Sequence, residues 1–379
     1  VTVKAIELTG ISLNKTETKV GVGKTETLTV TYTPSNATYK DIKWTSADRT
    51  IATVDENTGL ITEIKAGETT ITATSMKYPN ITAECRVSVE LVLVIENGAD
   101  LYKFAQDVNS GNKYEGYTVK LANDITINEG VTYTFDDDTG LIEVKQNENR
   151  FYIGTGYNGD TSGTNTTFDS TASAIGAYYI ANNSTETMTP IEGTMKLSDE
   201  VSCKTITCNG ITLKIWEPIG NKNNKLYVSN IDGQNSKIKG LLCNKSADAK
   251  VGLIGIYGSG EEISNLSVDN SLFIGTGMIG GIIGQSNVSK ITNVHVNDGY
   301  IVSSGSMIGG VIGTCEYQNG SGTIMRKTSN MSTIITKGGE VGGIVGSFLN
   351  GAIQECYNRG NIIGRKIITI LGGYSWIYR

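Results

Sequence analysis

Four phrases set the strongest limit on what this chain can fold into: "VGLIG" at 251–255, "IGGIIG" at 279–284, "IGGVIG" at 308–313 and "VGGIVG" at 341–346. Their final glycines fall at 255, 284, 313 and 346, so the steps are 29, 29 and 33 residues. A degraded copy, "LGGYSW", occupies 371–376. Periods of about 20–50 residues signify stacked structural repeats. Helical repeats are excluded, because no unit carries an apolar stripe of period 3.6 and each holds several glycines. What remains is a parallel β-helix, expected to be right-handed, in which each coil of short strands pairs with the coils above and below. The apolar residues of "GIIG" are expected inside. The adjacent glycines are expected to adopt positive φ at the bends and to let coils approach closely.

The second half of each repeat supports this reading. "EISNLSVDN" and "KITNVHVND" place Asn265 and Asn293 at equivalent positions, 28 apart. In stacked coils one asparagine amide bonds its counterpart a layer away. The later copies, "TIMRKTSN" and "AIQECYNRG", align Arg326 and Glu355 with that asparagine, so the ladder stops short of the full length.

The first ninety residues follow a different rule. "TLTVTYT" (27–33), "IKWTS" (42–46), "IATVD" (51–55), "LITEI" (60–64), "TTITATS" (69–75) and "AECRVSV" (83–89) alternate with period two. Such alternation marks half-buried strands, and the turn-rich segments between them predict a small antiparallel sandwich around Trp44. The segment "ISLNKTETKV…TPSNATYKDIKWTSADRTIATVDENTGLITEIKAGETTITATS" resembles bacterial immunoglobulin-like domains of group 2 from end to end. That resemblance implies a spacer role of the kind found in bacterial surface proteins, including adhesins of the intimin and invasin type. "GVGKT" (21–25) is no phosphate loop, because Thr18 stands where that motif needs glycine and no helix pattern follows.

After Glu90 one helix is expected. Leu101, Phe104, Ala105 and Val108 share one face, with Asp100 as N-cap and Gly111 as stop. Segments around "WEPIG" (216–220), "IDGQNSKIKGLL" (231–242), "VGLIG…ISNLSV" and "VGGIVG…AIQECYNRG" resemble the GLUG-repeat regions of bacterial surface proteins. Those are glycine-rich β-solenoids of adhesin-like proteins and of some secreted IgA-cleaving metallopeptidases. The domain reading is therefore an Ig-like domain at 1–90 and a GLUG-type parallel β-helix at 91–379. Within the latter, an N-terminal capping helix lies at about 100–110 and an irregular insertion at about 126–215. The cap is needed because a solenoid's end exposes unpaired strand edges, and Leu101, Phe104 and Val108 are expected to cover the first coil. "KIITILGGYSWIYR" ends mid-repeat, so either the natural protein continues or that end makes an end-to-end contact.

Chemistry-bearing residues are sparse. The single histidine, His295, is expected exposed on a strand, with Asp298 as the nearest orienting carboxylate. One histidine removes HExxH chemistry and argues against a Ser-His-Asp triad. Carboxylates of "DDDTG" (136–140), "GEE" (260–262) and Asp269 are expected in solvated turns, so the paired acids of a polysaccharide lyase or hydrolase do not emerge. "GTGMIG" (275–280) leads into a strand, which excludes a dinucleotide site. Cys85, Cys203, Cys208, Cys243, Cys315 and Cys356 read as buried reduced thiols. Tyr152, Tyr157, Tyr178 and Tyr179 form either a sugar-stacking patch or core.

Net charge is −6 with no basic stripe, which disfavours nucleic acid, and no apolar run approaches the ~18 residues that span a bilayer. The expectation is a non-enzymatic protein of the bacterial surface or exterior, without cofactor or metal. Its expected partner is a host or matrix protein or glycan. The alternatives are a glycan-active β-helix enzyme and a pure glycan-binding module. Signal peptide and anchor are expected outside the sequence.

Overall fold

The computed structural model describes residues 4–21, 25–156, 178–179, 187–221, 227, 229–245, 250–258, 262–287, 289–305, 307–316, 322–337 and 339–364. The centre of "GVGKT", Tyr157 and the degraded repeat at 371–376 lie outside them. The chain forms two compact units, Val1–Leu93 with Gly116–Thr118, and Val94–Glu115 with Val119–Arg379.

In the first unit the alternating segments form the expected strands. Ile42–Ser46 pairs antiparallel with Gly67–Ser75, which pairs antiparallel with Thr82–Ile95. Gly10–Leu13 pairs with Val30–Thr33, and Leu60–Glu63 with Ala52–Val54 and Glu26–Thr27, also antiparallel. The sandwich is not wholly antiparallel, because Glu17–Gly21 runs parallel to Thr82–Ile95 with Glu17 opposite Arg86. The inward residues of both layers, including Val20, Leu28, Ile61, Ile71 and Val87, close around Trp44. Gly59 (φ 73°) turns the chain under that indole, where a Cβ would stand 2.8 Å from the ring.

The second unit opens with the helix Gly98–Ser110. Its N-cap is Asn97 and not Asp100: Asn97 Oδ1 accepts from the Asp100 backbone N–H at 3.1 Å. Asp100 lies in the first turn and its Oδ2 accepts from the Glu96 N–H at 3.1 Å, which fastens the chain just before the cap. Gly111 ends the helix at φ 125°. The buried stripe is Leu101, Tyr102, Phe104, Ala105 and Val108. Tyr102 meets Trp216 edge-on with ring centroids at 5.2 Å, and Phe104 meets Tyr227 at 5.5 Å. Tyr227 bridges in parallel to Tyr257 of the following coil, so the helix does cover the start of the solenoid.

From Asn230 the chain coils. Successive coils run over 230–257, 262–286, 290–315, 323–348 and 351–364, and every strand pair between neighbouring coils is parallel. Ile254 pairs with Ile283, Ile283 with Ile312 and Ile312 with Val345, which sets glycines 255, 284, 313 and 346 directly over one another. Their φ angles are not positive, so the expectation of left-handed glycine bends fails. Close approach is what requires them. A Cβ on Gly313 would lie 2.5 Å from the Gly284 carbonyl oxygen and 2.6 Å from the Ile279 nitrogen. The left-handed positions are taken by Asn265 (φ 52°), Asn293 (φ 55°), Lys327 (φ 50°) and Glu355 (φ 55°). Backbone pairing of Thr292 with Arg326 shows that Lys327, not Arg326, stands in the asparagine's place. Asn293 Nδ2 donates to Asn265 Oδ1 at 2.9 Å, which realises the expected rung.

The segment 126–215 is not irregular where it is described. Val131–Asp136, Leu141–Gln146 and Asn149–Gly154 form an antiparallel meander, extended by Tyr178–Tyr179 and Thr187–Met188. Ile191–Lys196, Ser202–Cys208 and Ile211–Lys214 form a second antiparallel sheet. Their apolar faces join Leu242, Leu272, Ile274, Val302 and Ile335 of successive coils in one core, so the insertion clads one flank of the solenoid. Asn270 Nδ2 donating to the Val131 carbonyl at 2.8 Å and the Tyr300 hydroxyl accepting from the Phe135 N–H at 3.0 Å tie the flank.

Substitutions at two positions separate close approach from left-handed geometry. Gly313→Val is expected to destabilise the second unit by about 1–3 kcal/mol through overpacking. Asn265→Ala is expected to cost about 2 kcal/mol, and Asn265→Gly about half that, because glycine keeps the left-handed φ and loses only the rung. Denaturant unfolding followed by circular dichroism checks both.

Candidate binding cleft

A notch lies where the insertion's second sheet meets the first coil. In that sheet Thr194 lies opposite Lys204 and Gly193 opposite Thr205, and the Ile215 N–H donates to the Lys204 carbonyl at 2.8 Å. The chain then turns at 216–221 into the coil. The result is a cleft of about 590 Å³, lined by Glu192, Thr194, Lys204 and Thr205 from the sheet and by Glu217 and Lys245 from the turn and the coil. Ile206 and Ile215 supply apolar wall. Its volume lies in the range of small-molecule sites.

The cleft's charges divide into two kinds. Lys245 Nζ lies 2.5 and 2.6 Å from the two Glu217 oxygens, and Asn221 Nδ2 donates to Glu217 Oε2 at 3.3 Å. That carboxylate is committed to the wall. Glu192 and Lys204 have no ion-pair partner within 4 Å among the described residues. An unpaired ammonium and an unpaired carboxylate therefore line one cleft, with Thr194 and Thr205 in its wall, offering donors and acceptors to a ligand that carries both.

The residues singled out in the sequence lie elsewhere. His295 is half-buried, not exposed. Its Nδ1 lies 2.8 Å from Ser329 Oγ and its Nε2 3.1 Å from Asn293 Oδ1, so Asp298 is not its partner. Burial lowers its pKa, partly opposed by the Asp269 carboxylate. Asp269 is not in a turn. It ends the strand Glu262–Asp269, is 7 % exposed, and accepts from Ser267, from Asn297 at 2.9 Å and from Lys237 at 3.1 Å. Asp136 shapes a hairpin turn by accepting the N–H groups of Asp138 and Thr139 at 2.9 and 3.2 Å. Glu262 pairs with Lys290 across coils at 3.4 Å. Tyr152 is half-buried, its hydroxyl 3.5 Å from Glu143, and its backbone stands opposite Tyr179.

Five cysteines are buried and Cys356 is half-buried, and none is joined in a disulfide. Burial pushes the thiols up, to about 12 at Cys243 and at Cys315, so none is a poised nucleophile. Among the described residues no three His, Cys, Asp or Glu side chains cluster as metal ligands.

With the fold in place, similarity to known proteins can be set beside it. Residues 7–86 match the profile of the bacterial Ig-like domain (group 2). The first unit is a group 2 Ig-like domain. Halomucin of Haloquadratum walsbyi is 27 % identical over 209 residues, 52 % of this chain and 2 % of that protein, a stretch longer than the Ig-like domain itself. The 3-O-alpha-D-galactosyl-alpha-L-arabinofuranosidase of Bifidobacterium longum subsp. longum is 41 % identical over 68 residues, 18 % of this chain and 6 % of that protein, within the Ig-like domain. The Ig-like virion protein of Serratia phage KSP90 is 35 % identical over 89 residues, 24 % of this chain and 34 % of that protein. The chain spans about a third or less of each of these relatives.

Neither Glu192, Lys204, Glu217 nor Lys245 stood out in the sequence. They span 53 residues of sequence at spacings of 12, 13 and 28, and no spacing rule links them. The thiol account gives a test. A maleimide reagent near neutral pH is expected to label Cys356 slowly in the folded protein and the other five only after unfolding, as read by intact mass.

Proposed function

We propose that this chain is a non-enzymatic, extracellular or surface-borne bacterial protein, in which the Ig-like domain is a spacer and the solenoid carries a ligand-binding insertion. The cleft between Glu192, Lys204, Glu217 and Lys245 carries the reading. It is the place where unpaired charge of both signs, hydroxyls and an apolar wall converge. Sugar hydroxyls donate and accept together, so a short glycan of a host surface or matrix fits this lining better than a purely anionic or cationic ligand. The glycine-rich coils fit the GLUG-type surface solenoids that the sequence resembles. Likeness to halomucin and to a virion protein supports an exterior location.

A second reading rests on the two carboxylates in one cleft. A glycan hydrolase uses such a pair as acid and base or nucleophile. Against it, both oxygens of Glu217 are engaged by Lys245, at 2.5 and 2.6 Å. The arabinofuranosidase matches within the Ig-like domain, so it brings no catalytic part to this chain.

The full chain on a glycan and matrix-protein array is expected to bind a glycan and to leave it intact by chromatography. Lys204→Ala is expected to weaken that binding about tenfold, equal to about 1.4 kcal/mol. Binding unchanged by Lys204→Ala and Glu192→Gln moves the site elsewhere, and released reducing ends turn the reading to the hydrolase.

A further inference from the structure

Asparagine followed by glycine is a dipeptide that can rewrite its own backbone. The carboxamide carbon is one ring closure away from the next main-chain nitrogen, and glycine puts no side chain in the way. The dipeptide begins at Asn97, Asn158, Asn209, Asn319 and Asn350, of which Asn158 and Asn319 lie outside the described residues. The other three asparagines are all exposed, so exposure does not separate them. Their hydrogen bonds do.

Asn97 Oδ1 caps the helix by accepting from the Asp100 N–H at 3.1 Å, and the Asn97 backbone is extended. Ring closure there has to give up the cap. Asn209 Nδ2 donates to the Arg150 carbonyl at 2.6 Å, a bond from the hairpin of the insertion's second sheet to its first. Ring closure there has to break it. Asn350 stands at the corner between the strands Val345–Phe348 and Gly351–Gln354. Its Oδ1 accepts from the Gly351 N–H at 2.8 Å, and its Nδ2, the group that has to leave, has no partner among the described residues. The side chain is thus tied only to the nitrogen that would attack it.

The ladder leaves that N–H free for this contact. Ile324 gives its N–H to the Ser289 carbonyl of the coil before it, so Thr323, one residue back, turns its own groups toward the coil after it. Gly351 is the residue opposite Thr323. Of two opposed residues in a parallel pair, one directs its N–H and C=O to the other strand and its partner directs them away. Here Thr323 faces the pair, so the Gly351 N–H points away from the fourth coil. Gly351 also keeps its place as glycine, since it sits at φ 136° and a Cβ there would collide with the Thr323 carbonyl.

We propose that Asn350–Gly351 is a site of spontaneous deamidation, and that the fold restrains the same reaction at Asn97 and Asn209. Hydroxide takes the Gly351 amide proton. The nitrogen bonds to Asn350 Cγ, the Cγ–Nδ2 bond breaks, and Nδ2 leaves as ammonia. Water then opens the cyclic imide at either carbonyl, giving aspartate or isoaspartate. The net change is one water consumed and one ammonia released, with no oxidant or cofactor. Isoaspartate carries the main chain through the Asn350 Cβ, an extra backbone atom just ahead of the strand that pairs with the fourth coil.

The experiment is peptide mapping by mass spectrometry of the full chain kept folded in mildly alkaline buffer, beside the same chain unfolded in denaturant. Each asparagine is compared with itself. Asn350 is expected to convert in the folded chain within about threefold of its unfolded rate, while Asn97 and Asn209 are each slowed about tenfold or more, because local opening must first release their side chains. Aspartate and isoaspartate both count as product. Asn350→Gln, whose longer side chain closes a ring far more slowly, is expected to leave the peptide holding residue 350 at its original mass. Asn350 slowed as much as Asn97 or Asn209 overturns the proposal. So does the same mass gain in Asn350→Gln. Should that variant fail to fold, the folded-to-unfolded rate ratios of the unaltered protein decide alone.

Discussion

Everything in the second unit depends on how closely two backbones can lie in a parallel stack. Each glycine that closes a "GIIG" phrase lies within a strand, where a Cβ would stand 2.4–2.9 Å from a backbone atom of the adjoining chain, and only a residue without Cβ fits there. The glycine column at 255, 284, 313 and 346 is thus a packing requirement, repeated once per coil. Turning the chain is a separate task, done by Asn265, Asn293, Lys327 and Glu355 in left-handed conformation. Asparagine suits it, since its short amide tolerates positive φ and supplies hydrogen bonds to its neighbours. Where lysine and glutamate replace it, the bend persists and the amide rung does not. Their side chains have no preference for that geometry, so stacking of the strands on either side must hold those two bends.

The solenoid's flanks differ because their strands face different neighbours. Along Glu262–Asp269 and Lys290–Asn297, inward Ile and Val alternate with outward polar residues. The outward set is bonded between coils: Lys237 with Asp269, Asn297 with Asp269, Lys290 with Glu262. Along Leu272–Gly275, Tyr300–Ser303 and Thr333–Thr336 alternation vanishes, and nearly every residue is buried. One side of those strands faces the solenoid interior, and the other faces the insertion's apolar sheet. A strand covered on both faces has no use for polar residues beyond its ends. The insertion is therefore a wall of the solenoid, and its edge against the first coil is where a cleft can form.

That contrast also explains what could be read from the sequence. The coil period, the parallel stack and the asparagine rung were legible because identical residues recur at one spacing and stacking makes identical residues neighbours. The helix was legible from its stripe, although Asn97 and not Asp100 caps it: both suit an N-cap, and which one does so depends on where the chain enters the helix. The register at Lys327 was misread by one residue because the third step is longer than the first two: 34 residues separate Asn293 from Lys327, against 28 between Asn265 and Asn293. The insertion carried a signal that went unread. "TCNGIT" holds Asn209 at φ 47° followed by Gly210 at φ 78°, the two-residue hairpin turn that Asn-Gly favours. "SLFIG" and "TIIT" are continuous apolar runs, which is how a strand with two covered faces is written. Read together, they point to a second sheet lying against the solenoid.

The cleft was illegible for a deeper reason. Lys204 and Thr194 face each other because two strands pair antiparallel, while Glu217 and Lys245 are set by a turn and by the first coil. None of these relations recurs, and none has a fixed sequence separation. A repeat protects its own residues from variation in role, since each must serve every layer it touches. Residues at the boundary between the repeat and a non-repeating wall are released from that duty. Unpaired Glu192 and Lys204 lie on that boundary, while the Asp269 carboxylate, one coil on, is saturated by three donors. Outward groups such as Asp269 and Glu262 are tied from coil to coil, while the charges of Glu192 and Lys204, at the edge of the wall, have no neighbouring layer to pair with.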